Sequence, residues 1–150
     1  MNIEKIFIAS DHAGFDLKDE IKTFLKTLNL TVIDLGTNSS EVSVDYPDFA
    51  NLMAENLKNQ NEYGILICGT GIGISIAANR HKHIRCALCH DIYTASMARE
   101  HNDANIIAFG ARTTKPEDAK EMIKKFFSSE FAGGRHLRRV DKLGCCRAQI

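Results

Sequence analysis

The sequence predicts an α/β fold: a five-stranded parallel sheet of order 2-1-3-4-5, doubly wound in the Rossmann-like or flavodoxin-like manner, with an extra C-terminal helix. Three observations predict it. Short β-rich runs alternate regularly with stretches of helical periodicity. The runs "IFI", "ILI" and "NIIAF" are almost wholly apolar, as strands covered on both faces are. Right-handed crossovers between parallel strands then favour three layers.

The elements follow in order. "KIFIAS" (Lys5 to Ser10) reads as strand one. Leu17, Ile21, Phe24, Leu25 and Leu28 then recur at helical spacing. "LTVIDLG" is strand two, closed by Gly36, and the polar stretch "GTNSSEVSVD" after it is a loop within one domain spanning residues 1–150. Tyr46-Pro47 opens the second helix, since proline suits a first helical turn, and its apolar face is Phe49, Leu52, Met53 and Leu57. "GILIC" is strand three, with a helix following through Asn79; "IRCALC" is strand four. Asp91 is an N-cap for a helix running to about His101, and "NIIAFG" is strand five. Lys115-Pro116 leads into a helix carrying Ala119, Met122, Ile123, Phe126 and Phe127, and Gly133-Gly134 precede a last short helix.

Composition narrows the function classes. Hydrophobic residues at 44% and charged residues at 25% are those of a soluble globular chain. Nineteen basic residues balance nineteen acidic ones, so no global field recommends nucleic acid or an anionic membrane, and an anion site must be local. The start "MNIEKIFIAS" has no leader pattern, and no apolar run approaches the roughly 20 residues of a membrane helix; a cytoplasmic protein is expected. The five cysteines (Cys68, Cys86, Cys89, Cys145 and Cys146), an odd number, read as reduced thiols.

In an open α/β sheet, ligands bind beyond the carboxyl ends of the strands, near the switch in strand order. Strand one ends in Ser10-Asp11-His12, and strand three in Cys68 with the loop Gly69-Thr70-Gly71-Ile72-Gly73. These two strands are neighbours across the switch, so Asp11, His12 and Cys68 are expected in one open crevice. The glycines let the backbone turn and approach a ligand, and the helix beyond directs its first N–H groups at an anion. Position 74 is Ile74, where a dinucleotide fingerprint needs glycine and a cysteine phosphatase loop needs arginine, and there is no Gly-Lys-Ser/Thr. A receiver domain would place aspartate and lysine where Cys68 and Gly110 stand. A thiol at a helix N-terminus is favoured as thiolate; a small buried hydrophobe is the equal alternative for Cys68.

Two further groups stand out. "HND" (His101 to Asp103) falls at the amino ends of the strands, far from Cys68 in the same chain. Either the helix dipole favours a terminal histidine there, or His101 serves the crevice of a partner subunit. In "GGRHLRRV", Arg135 and Arg139 share a helical face at i, i+4 and could fork onto a phosphate, or form a solvated basic surface. "CALCH" (Cys86 to His90) matches a haem attachment pattern and, with His81 and His83, half a zinc site. On a strand, however, Cys86 and Cys89 point to opposite faces, so no metal or haem is expected.

Together, "SDHAGFDLK", "VIDLGT", "DYPDFA", "ICGTGIGISIAANR", "REHNDANIIAFGAR" and "GGRHLRRV" resemble the type B ribose-5-phosphate isomerases, grouped with the galactose-6-phosphate isomerase subunits. The likeness runs from Lys5 to about Lys142. It implies an aldose–ketose isomerase without metal or cofactor that interconverts ribose 5-phosphate and ribulose 5-phosphate through an enediolate, in the non-oxidative pentose phosphate branch. The alternative is a six-carbon substrate such as allose 6-phosphate or galactose 6-phosphate. The resemblance makes Cys68 the base and His101 the ring-opening group, with Thr70 relaying protons. Asp11 and His12 contact the sugar, and Asp11 also serves the ring oxygen. Gly69, Thr70, Gly71, Ile72 and Gly73 hold the enediolate. Asn102, Arg112, Arg135 and Arg139 match the remaining substrate and phosphate ligands. A homodimer or tetramer with sites shared between subunits is implied. The tail "LGCCRAQI" departs from the pattern at Gly144, and Cys145 and Cys146 have no expected role.

Overall fold

The structure is a computed structural model that describes residues 3–143; Gly144, Cys145 and Cys146 lie outside the described residues. The strands are β1 (Lys5–Ser10), β2 (Val32–Asp34), β3 (Glu62–Cys68), β4 (Cys86–Leu88) and β5 (Ile106–Gly110). The helices are α1 (Phe15–Thr27), α2 (Tyr46–Asn56), α3 (Ile72–Ala78), α4 (Ile92–Asn102), α5 (Pro116–Ser128) and α6 (Arg135–Asp141). A 3-10 turn, His12–Gly14, joins β1 to α1.

All strand pairs are parallel, and helices cover both faces. On one face α1, α4 and α5 bury Leu17, Ile21, Ala95, Ala98, Ile123 and Phe126 against Ile6, Ile8, Ile65, Ile67 and Phe109. On the other, α2 and α3 bury Ala50, Met53, Ile74 and Ala78 against Phe7, Leu66, Cys68 and Ile106. The alternation along β3 feeds both cores, so all seven of its residues are buried.

The doubly wound class is as the sequence predicts, but the strand order is 2-1-3-5-4 where 2-1-3-4-5 was expected. β3 pairs with β5, with Cys68 opposite Gly110, and β4 pairs with the far side of β5. The reason is burial. Every residue of β5 is buried and needs neighbours on both edges, whereas β4 has three residues and only Cys86 of them is buried. The expected strands two and four also shorten, because Ile33 and Asp34 at one sheet edge and Ala87 and Leu88 at the other are incompletely covered.

This order positions the site. β1 and β5 both send their following helices to the α1 face, while β3, between them, sends its loop to the α3 face. The chain therefore parts on both sides of Cys68, where a switch-point site belongs. No helix among the described residues is long and apolar enough to cross a membrane.

Candidate active site

The carboxyl ends of β1, β3 and β5 are drawn together by glycine. A Cβ on Gly14 would stand 2.7 Å from the carbonyl oxygen of Ile67, and one on Gly110 would stand 2.5 Å from the Thr70 backbone. Ser10 pairs with Ile67, so Asp11 and Cys68 are next in register, and the Asp11 N–H donates to the Ile67 carbonyl at 3.2 Å. The Asp11 carboxylate accepts the Gly14 N–H at 3.1 Å, which caps the 3-10 turn.

Cys68 lies where β3 becomes the glycine turn. Gly71 has φ +78°, a left-handed conformation that glycine adopts without steric cost, and this turns its N–H back to donate to Cys68 Sγ at 3.1 Å. The Ile72 N–H approaches Thr70 Oγ1 at 3.4 Å. Arg112 stands over the turn: its Nη1 lies 3.2 Å from where a Gly69 Cβ would be, and its N–H donates to the Gly69 carbonyl.

The expected open crevice is a nearly closed floor. Cys68 is 4% exposed and Asp11 6%. His12 Nδ1 accepts the Val44 N–H at 3.2 Å, fastening the 38–45 loop beside the end of β1. The ring of Tyr46 rests on Gly73, whose Cβ would be 2.5 Å from the ring. Sequence reasoning read Tyr46 only as a helix start; its aromatic character before Pro47 and a glycine-rich loop was the available signal. Thr70, Ile72 and Arg112 are exposed at the rim.

A second group forms at the amino ends of the strands. α4 starts at the carboxyl end of β4, where Asp91 and Thr94 make a capping box, and runs back to His101 and Asn102. The His101 ring stacks on His136 of α6, with centroids 4.1 Å apart and planes 8° from parallel. Burial, then the neighbouring His101, Arg135 and Arg139, hold His136 below the usual histidine range. Arg135 Nε lies 3.5 Å from His136 Nε2. The structure thus brings His101, Asn102, Arg135 and Arg139 to one end of the sheet, and Asp11, His12, Cys68, Gly69, Thr70, Gly71, Ile72, Gly73 and Arg112 to the other. His136 was missed in sequence, although it lies between the two arginines already singled out.

The "CALCH" thiols separate as the strand geometry predicts: Cys86 packs in the α2–α3 core and Cys89 in the opposite core. Burial raises both, Cys89 to about 12. Two cavities, of about 370 and 540 Å³, lie at the amino ends of the strands; Asn102 borders the larger, and Cys68 borders neither.

Comparison with known proteins places this doubly wound chain among the sugar-phosphate isomerases, which are aldose–ketose isomerases. The chain belongs to the ribose/galactose isomerase family, whose profile matches residues 6–143. It is 44% identical over 142 residues to ribose-5-phosphate isomerase B of Escherichia coli, covering 94% of this chain and 95% of that one. Among solved structures, ribose-5-phosphate isomerase B of Clostridium thermocellum is 52% identical with TM-score 0.90, over 93% of this chain and 95% of that one. The Mycoplasma genitalium enzyme with bound ribulose-5-phosphate is 43% identical with TM-score 0.89, over 93% of each chain.

Proposed function

We propose that this chain interconverts ribose 5-phosphate and ribulose 5-phosphate, with Cys68 as the proton carrier, in a homodimer or larger assembly whose sites take residues from two chains. The observation that carries the reading is the Gly71 N–H donated to Cys68 Sγ beside Asp11. The relative solved with ribulose-5-phosphate supports the five-carbon substrate.

After ring opening, the chemistry carries one proton from C2 to C1 and one from O2 to O1. His101 of a second chain takes the proton of the anomeric hydroxyl as the C1 carbonyl forms, the bond from C1 to the ring oxygen breaks, and Asp11 gives that oxygen a proton. The Cys68 thiolate removes the C2 proton, the C2–H electron pair forms the C1–C2 double bond and the C1 carbonyl π pair moves to O1; the proton then returns at C1 as an O2 electron pair forms the C2 carbonyl. A base so placed contributes about 10²–10⁴-fold. The Gly71 N–H is held by the Cys68 sulfur, so the donors offered to the developing oxyanion are the N–H groups of Ile72 and Gly73 at the start of α3; losing one such donor costs about 3–4 kcal/mol in comparable sites. Thr70 shuttles the hydroxyl proton between O1 and O2. Arg112, with Arg135, Arg139 and Asn102 of the second chain, holds the phosphate. The remote phosphate fixes the reacting carbons against the sulfur. The thiolate is neutralised as the enediolate forms, so the site stabilises one charge that moves.

Two features support the shared site. Cys68 and His101 stand at opposite ends of one sheet. Ile72 and Ile76, one helical turn apart on α3 beside the glycine turn, are 52% and 56% exposed, an apolar face suited to a second copy. The test is Cys68→Ala: turnover is expected to fall by at least about 10² while ribose 5-phosphate still binds in calorimetry. Near-normal turnover would overturn the role of the thiol. Allose 6-phosphate and galactose 6-phosphate, assayed beside ribose 5-phosphate, are expected to be the poorer substrates. A cytoplasmic location accords with such a metabolic role.

A further inference from the structure

We propose that the cavity of about 370 Å³ under the amino ends of β3 and β5 is a second anion site, which takes the phosphate group of a small phosphorylated molecule. It is distinct from the floor at Cys68, which lies at the other end of the same strands. Its lining includes Lys58, Arg85 and Arg99 but a single carboxylate, Asp103. That carboxylate is fully engaged: Oδ1 accepts Arg99 Nη1 and Oδ2 accepts Arg85 Nη2, both at 3.0 Å. Glu62, on the adjoining loop, is taken by Lys5 and by the Lys58 and Asn59 N–H groups. The lining keeps an excess of positive charge, and its size is that of a small-molecule pocket.

Arg99 is the second observation. It is 5% exposed and lies against the rings of both Tyr63 and Phe126, with its guanidinium carbon 5.2 and 5.8 Å from their centroids. Its Nη1 donates to Asp103 and to the Ala104 carbonyl at 2.6 Å. Its Nε–H, buried, has no partner. A buried donor on a charged group is seldom left unmet, and the Nε side of a guanidinium belongs to the fork that holds phosphate oxygens. Arg85 is fixed beside it, with Nε on the Asp103 carbonyl at 2.6 Å. Asn105 ties the wall together, accepting the Arg85 N–H and donating to the His83 carbonyl. The two guanidiniums are therefore held in place before any ligand arrives, so little ordering of them is left to binding.

The test titrates inorganic phosphate, and separately ribose 5-phosphate, into the full chain while the arginine Nε–H resonances are followed by NMR. The Arg99 signal is identified by its loss in Arg99→Lys or, if that chain does not fold, by triple-resonance assignment. It is expected to move saturably with phosphate, and to do so equally in Arg135→Gln/Arg139→Gln, where the proposed isomerase phosphate contacts are gone. Arg85→Gln is expected to weaken this response about tenfold or more and to leave turnover unchanged. Saturation by inorganic phosphate alone identifies the free ion as sufficient; saturation only by the sugar phosphate identifies an organic ester. A linear, unsaturating drift with both, a response lost with Arg135 and Arg139, or indifference to Arg85→Gln overturns the site. The isomerase reading stands or falls separately, by Cys68→Ala.

Discussion

Gly71 is the residue on which the geometry at the thiol turns. Its φ of +78° aims its N–H at Cys68 Sγ, and a Cβ there would lie 2.6 Å from Leu88 Cδ1 and 2.7 Å from the Phe109 backbone. Backbone cannot step aside as a flexible side chain can. Gly71→Ala is expected to cost about 3 kcal/mol of stability, from left-handed strain and overpacking together, with turnover lost beyond what unfolding explains; thermal melts with activity at a permissive temperature check this. The glycine turn, its cysteine and the Asp11-His12 pair were legible because each is a local pattern at a strand end. The stack of His136 on His101 was not, because it depends on how α6 lies against α4, which no spacing along the chain encodes. The near closure of Cys68 was equally hidden: the residue belongs to the core that α2 and α3 bury against the sheet, assembled from segments far apart in the chain.

At the scale of elements, the edge strand β2 is fixed by charge. Lys18, fully buried on α1, donates to Asp34 at 2.6 Å and to the Thr37 carbonyl at 2.7 Å, and Lys22 reaches the other Asp34 oxygen at 2.6 Å. Burial alone would raise the Asp34 carboxyl, but Lys18, Lys22 and the Gly36 N–H outweigh it and hold it below the usual range. A carboxyl depressed on folding stabilises above its unfolded pKa of about 3.9, and that contribution fades as pH falls through the folded value. Asp34→Asn leaves Lys18 buried without its counter-charge and is expected to cost about 3 kcal/mol near neutrality. The gap from the parent chain should narrow as the pH falls below the unfolded value, which urea denaturation at pH 6 and pH 3 would measure. The elements themselves were legible from periodicity and from the apolar runs of β1, β3 and β5. The order of β4 and β5 was not, although Arg85 within "IRCALC" against the uninterrupted apolar run "IIAFG" carried the difference between an edge and a centre.

For the whole molecule, the fold class follows from alternation along the chain, whereas the proposed site, drawing on two chains, does not follow from the elements of one. Cys68→Ala and His101→Asn chains, each inactive alone, are expected to regain activity when mixed and allowed to exchange, because half of the sites in a mixed dimer would be intact. A mixture that exchanges, as mass spectrometry would show, yet stays inactive would put both residues in one chain's site. α4 gives this arrangement its scale. Its 11 residues span about 16 Å, from the capping box near the rim to the imidazole at the far edge. The helix is in effect a ruler laid along the sheet, and in the proposed dimer two rulers would cross an axis head to tail for each tip to reach the other's sulfur. One extra turn would shift both tips by about 5.4 Å, a fault in spacing that no repair of side chains could mend.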